Sequence, residues 1–107
     1  MALYMIQFSY TQQAWSSLVK NPQDRMAALK ELVAKFNSKV VGLYYSNGDY
    51  DGMAIIEAPN DETSNALLFA IISAGHIKAT KTVHLYTVDE IMASLKKAGT
   101  VTYKGPG

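Results

Sequence analysis

The chain of 107 residues carries 49% apolar and 18% charged side chains with a formal net charge of +1, the make-up of one ordinary globular domain with a single core. So even a charge balance draws it neither to nucleic acid nor to an anionic membrane surface. The absence of cysteine excludes disulfides, thiolate metal sites and a cysteine nucleophile, and fits a cytoplasmic protein.

Leu3 to Tyr10 alternates as a strand, with Tyr4, Ile6, Phe8 and Tyr10 on one face and Leu3, Met5, Gln7 and Ser9 on the other. The opening MALYMIQFSY therefore reads as a strand and not as a signal peptide. Thr11 is placed to cap a short helix whose Trp15, Leu18 and Val19 share a face. The segment NPQDR restarts a helix, with Asn21 as cap, Pro22 in the first position and Asp24 in the first turn. Its apolar stripe is Met26, Leu29, Leu32, Val33 and Phe36.

Val40 to Ser46 predicts a second strand, Asn47-Gly48 a two-residue hairpin turn, and Asp49 to Ala58 the returning strand. Pro59 ends it. A helix follows, capped by Asn60 or Asp61 and stopped by Gly75. Its run ALLFAIISA is too short to span a bilayer. Ile77 to Tyr86 forms the last strand. Thr87 and Glu90 then make a capping box for a final helix that buries Ile91, Met92 and Leu95 and stops at Gly99. Residues 1–99 form one domain and 100–107 an irregular tail.

The order β-α-β-β-α-β, with a split first helix and an extra C-terminal one, predicts an α+β, ferredoxin-like fold with helices on one face of an antiparallel sheet. The first and third strands are expected in the centre, parallel to each other. The small residues Gly52, Ala54 and Ala58, with Ile56, suit close approach by helices bearing Phe36 and Phe69. On the last strand Ile77, Ala79, Val83 and Leu85 are expected on the helix side, leaving Lys78, Thr80, Thr82, His84 and Tyr86 outward. The uncovered face then mixes Met5, Met53 and Ile55 with polar groups, a surface suited to closing on a second copy around a half-polar cavity.

Within that cavity, a set of Gln7, Ser9, Glu57 and Lys78 has the groups to hold a small polar ligand, or to make a structural salt bridge with hydroxyl support. Lys39 is the alternative to Lys78. Asp51 faces outward at the start of its strand and Tyr50 points helixward. Asp51 and Glu57 stand roughly 20 Å apart along a strand, too far for a paired-carboxylate site. His76, just past Gly75, suits capping of helix carbonyls or general-base work. Lys81, which breaks the apolar alternation, guards an edge strand or, if a bulge turns it, faces the cavity. His76, Glu57 and Lys81 are the candidate catalytic groups. The two histidines form no metal motif, and no glycine-rich nucleotide loop or nucleophile elbow occurs.

GDYDG, Gly48 to Gly52, resembles the signature of the GYD-domain family, and AGHIKATKT, Ala74 to Thr82, is similar to that family's second motif. YMIQFSYTQQAW and NPQDR extend the likeness over nearly the whole chain. The resemblance implies a ferredoxin-like, dimeric α+β barrel protein with no established activity, so it assigns no role to Gly48, Tyr50, Asp51, His76 or Lys81.

The expected function is therefore a cytoplasmic homo-oligomer binding a small molecule between its sheet and a partner copy, without cofactor, metal, nucleic acid or membrane. A cofactor-independent enzyme of the monooxygenase or isomerase kind, by analogy with the barrel, is one alternative. A purely structural subunit is the other.

Overall fold

The computed structural model describes residues 1–107. Its elements are β1 (Ala2–Tyr10), α1 (Gln12–Lys20), α2 (Arg25–Ala34), β2 (Lys39–Tyr45), β3 (Gly52–Ala58), α3 (Asp61–Ser73), β4 (Ile77–Leu85) and α4 (Val88–Ala98). The sheet order is β2-β3-β1-β4, and every neighbouring pair is antiparallel. This is the ferredoxin-like α+β arrangement. The central strands correct the expectation: β3 runs against β1, not with it. The crossover through α1 and α2 returns β2 in the direction of β1, and the β2–β3 hairpin then reverses the chain once more.

Local chemistry sets the helix starts. Thr11 Oγ1 accepts from Ala14 N at 3.1 Å, Asn60 Oδ1 from Thr63 N at 2.9 Å, and Thr87 and Glu90 form the reciprocal capping box of α4. In α2 the cap is Asp24, accepting from Met26 N at 2.9 Å, while Asn21 closes α1. Asn21 and Pro22 thus stand outside α2, contrary to the pattern, because a carboxylate nearer the stripe satisfies the orphan amide first. Gly75 adopts φ +86° just after α3, the left-handed conformation that glycine enters without a Cβ penalty.

Alternation on β1 and β3 produces the core. Ile6, Ala54 and Ile56 meet Val33, Val40 and Leu67, flanked by Met26, Leu29, Leu32, Phe36, Leu43 and Leu68. Phe69 does not press on β3; it is 62% exposed. Helix α4 buries no residue, so Ile91, Met92 and Leu95 lie open, against the expectation that they are covered. The molecule consequently measures 59 × 34 × 21 Å with a radius of gyration of 17.5 Å. A closed domain of this length would have about 13 Å.

Candidate functional site

The open side of the sheet is defined by register, since residues directly opposite share a face. Met5 lies between Ile55 and Val83, Gln7 between Met53 and Lys81, and Leu3 between Glu57 and Leu85. The apolar members are half-buried, and no helix of the chain crosses them. Tyr44 joins this side opposite Met53, its ring lying over Gly42, where a Cβ would meet it at 2.7 Å.

β4 is turned over relative to the expected faces. Pairing passes from Ser9↔Ala79 to Tyr10↔Ile77, leaving Lys78 unpaired in a bulge. One extra residue moves every later side chain to the other face. Ile77 keeps its helix-side place, but Ala79, Lys81, Val83 and Leu85 join the open side. Thr80, Thr82 and His84 stand opposite Phe8, Ile6 and Tyr4 on the helix side.

Antiparallel pairing also breaks up the set Gln7, Ser9, Glu57 and Lys78. Glu57 sits opposite Leu3 and Lys39, at the other end of β1 from Ser9. Gln7 and Ser9 are joined by Lys81, across from Gln7, with Lys78 in the bulge beyond. His76, Glu57 and Lys81 lie at three separate places and form no joint acid–base site.

Asp51 does not face outward. β3 begins only at Gly52, and the chain from Ser46 to Asp51 is a loop, closed by Ser46 N to Asp51 O and Ser46 Oγ to Tyr50 O, each 2.8 Å. Neither Asn47 nor Gly48 takes a positive φ, so the two-residue hairpin turn is replaced by this longer connection. Asp51 N donates to Phe8 O, and its carboxylate accepts from Tyr10 N at 2.9 Å and Trp15 Nε1 at 3.0 Å. That carboxylate ties the end of β1 to α1 and assembles Phe8, Tyr10, Trp15 and Tyr45 into an aromatic cluster with mainly edge-to-face contacts. Tyr50 is half-buried, and its carbonyl closes the loop. Gly52 leaves room for Phe8, whose Cζ would lie 2.7 Å from an added Cβ.

Tyr10 brings this cluster to the mouth of a cavity of about 230 Å³ on the helix side, lined mainly by apolar side chains of the sheet, α2 and α3. Arg25, His76 and Thr80 are its other polar lining residues. Tyr10 Oη lies 3.1 Å from Tyr45 Oη, and burial together with that contact holds its pKa well above the usual phenol value. This space of the single chain lies on the helix side of the sheet, separate from the cavity expected between two copies. His76 also fastens the fold through its backbone, its carbonyl accepting from Thr11 N at 3.0 Å.

A second polar cluster escaped sequence reasoning. Tyr4 Oη donates to Asp61 Oδ1 at 2.5 Å, and His84 Nδ1 is 3.7 Å from the same oxygen. The His84 ring lies 4.8 Å from that of Tyr4 and stacks on Tyr86 at 4.5 Å. Burial, then Asp61, push the Tyr4 hydroxyl up to about 12. Tyr4 and Asp61 are 57 residues apart, so no local spacing announces them. No three His, Asp or Glu side chains converge as metal ligands, and no helix is long and apolar enough to cross a membrane.

The GYD-domain model matches residues 4–95, and the chain belongs to the GYD-domain family. It is 29% identical over 96 residues to a Thermus thermophilus protein named glutamine synthetase and cystathionine beta-lyase binding protein, covering 90% of this chain and all of that one. The crystal structure of a protein from Thermus thermophilus superposes with a TM-score of 0.55 at 19% identity, covering 82% of this chain and 96% of the other. That of FFRP-DM1 gives 0.54 at 16% identity over 80% and 100%. These two structures share the fold.

Proposed function

We propose that this chain is a self-associating binding protein: two copies close on each other through the open side of the sheet, and the pair engages other proteins. The observation that carries this reading is the row Leu3, Met5, Ile55, Val83 and Leu85, an apolar surface in the middle of the sheet with no cover of its own. Monomers rarely leave such a surface to water. Gln7 and Lys81 give the row a polar end, while Ser9 beside them is buried, only 6% exposed. That end supports the small polar ligand expected between sheets, with Lys81 taking the place of Glu57.

Engagement of other proteins is supported by the relative named for binding two enzymes. It is supported too by α4, whose Val88, Ile91, Met92 and Leu95 recur at helical spacing and are 44–78% exposed. Catalysis by His76, Glu57 or Lys81 draws no comparable support from their scattered positions.

Light scattering after size exclusion tests the first half. The expected mass is twice the 11.7 kDa of one chain, reduced to one chain in Ile55→Lys with its circular dichroism unchanged. A monomeric wild-type protein would sink the proposal. Calorimetry against glutamine synthetase and cystathionine beta-lyase from the same host tests the second half, and binding to neither removes it.

A further inference from the structure

The cavity between the sheet, α2 and α3 has no part in that self-association and depends on one chain only. Its floor is Ile6, Ala54 and Ile56, and Ala28, Ala70 and Ala74 keep its helical walls thin. Bulk to fill it exists nearby, yet Phe69 and Ile72 of α3 are 62% and 39% exposed, turned to solvent. The space is therefore a consequence of which side chains face inward.

Its mouth is cationic. Arg25 is the first residue of α2, set there by the Asp24 cap. The guanidinium donates to the neutral Gln23 Oε1 at 2.8 Å and meets no carboxylate, the one ion pair of the molecule being His84–Asp61. The Asp51 carboxylate is already taken by Tyr10 N and Trp15 Nε1. A guanidinium offers a planar fork of donors that matches a carboxylate with two parallel bonds. His76 and the Tyr10 hydroxyl complete a polar lip around an apolar interior, the usual division of labour in a ligand pocket.

We propose that this cavity binds an amphipathic monocarboxylate, its apolar body against Ile6, Ile56 and Ile71 and its carboxylate on Arg25 beside His76. The volume of about 230 Å³ exceeds the ~150 Å³ that accepts benzene. A ligand of roughly eight to ten carbons in all follows from that comparison. A single guanidinium matches a single negative charge.

Octanoate and 1-octanol, both kept below aggregation, are the probes for the full chain, read by calorimetry and by ¹H–¹⁵N shifts. Octanoate is expected to bind saturably, shifting the amides of Leu29, Ala70 and Ile71, with octanol at least tenfold weaker. Arg25→Gln should weaken octanoate at least tenfold and leave octanol unchanged. Ala70→Leu, which occupies the cavity, should weaken both, whereas Ile55→Lys on the open side should alter neither. No saturable octanoate binding at millimolar concentration would overturn the proposal. So would octanol binding as tightly as octanoate, an Arg25→Gln protein with undiminished affinity, or shifts centred on Met5 and Ile55. Arg25 is only half-buried, and its guanidinium bonds the exposed Gln23 and lies against the Tyr10 hydroxyl. Its replacement by Gln therefore keeps the fold, and the charge test stands even if Ala70→Leu folds poorly.

Discussion

Ile55 and Ile56 are chemically identical neighbours with opposite surroundings. Ile56 is 1% exposed beneath α2 and α3, while Ile55 lies half-buried between Met5 and Gly42 on the side that no helix reaches. Alternation along β3 separates the two sides but does not say which one the chain covers. That depends on where the crossovers run, and both pass on the same side. The covered side holds the core and the cavity, and the bare side an apolar strip whose burial needs a second molecule.

The largest predicted effect sharpens this contrast. Ile56→Ala should cost about 2–5 kcal/mol in chemical denaturation. Ile55→Ala should cost far less in a monomer and appear instead as weaker association. The two glycines of GDYDG form a second such pair. A Cβ at Gly52 would lie 2.5 Å from Tyr44 O and 2.7 Å from Phe8 Cζ, whereas nothing stands within 4 Å at Gly48. Gly52→Ala should therefore destabilise by about 1–3 kcal/mol, and Gly48→Ala should stay within about 0.5 kcal/mol. Equal losses at the two positions would contradict the packing described.

Asp51→Ala removes the acceptor of Tyr10 N and Trp15 Nε1 and should cost about 1–2 kcal/mol, with a red shift in tryptophan fluorescence. The Tyr4 hydroxyl, raised to about 12 in the folded protein from 10 in the unfolded chain, gives a pH test. Between these values the folded state holds a proton that the unfolded state has lost, so stability falls as pH rises. The Tyr4 contribution should be constant below pH 10 and disappear between 10 and 12, and Tyr4→Phe should make the fall in that range shallower, the part due to Tyr10 remaining. The smallest effect is expected from ending the chain at Thr87. Helix α4 buries no residue, so folding of the rest should change by no more than about 0.5 kcal/mol.

Much of the architecture was legible because it is written in local patterns. Period-two alternation marked β1 and β3 and sorted their faces by side-chain size. Thr11, Asn60 and Thr87 announced helix starts through hydroxyl and amide chemistry that needs only the next three residues. The failures share a different cause. The bulge at Lys78 displaced one residue and inverted β4, and the direction of β3 relative to β1 separated Glu57 from Gln7 and Ser9. Asp51, read as an outward residue at the start of its strand, found its partners on β1 and α1. Tyr4, Asp61 and His84 come from three elements, and neither their association nor the cavity behind Arg25 and His76 leaves any spacing to detect.

By itself the sequence determined the element order, the caps of α1, α3 and α4 and the two-sided character of the central strands, since each follows from a few consecutive side chains competing for water or backbone. Tertiary structure alone decided which groups stand together at Asp51, at Asp61 and around the cavity, and which sheet face stays bare. Those outcomes depend on strand direction and register, where one inserted residue reverses a face and no nearby residue registers the change.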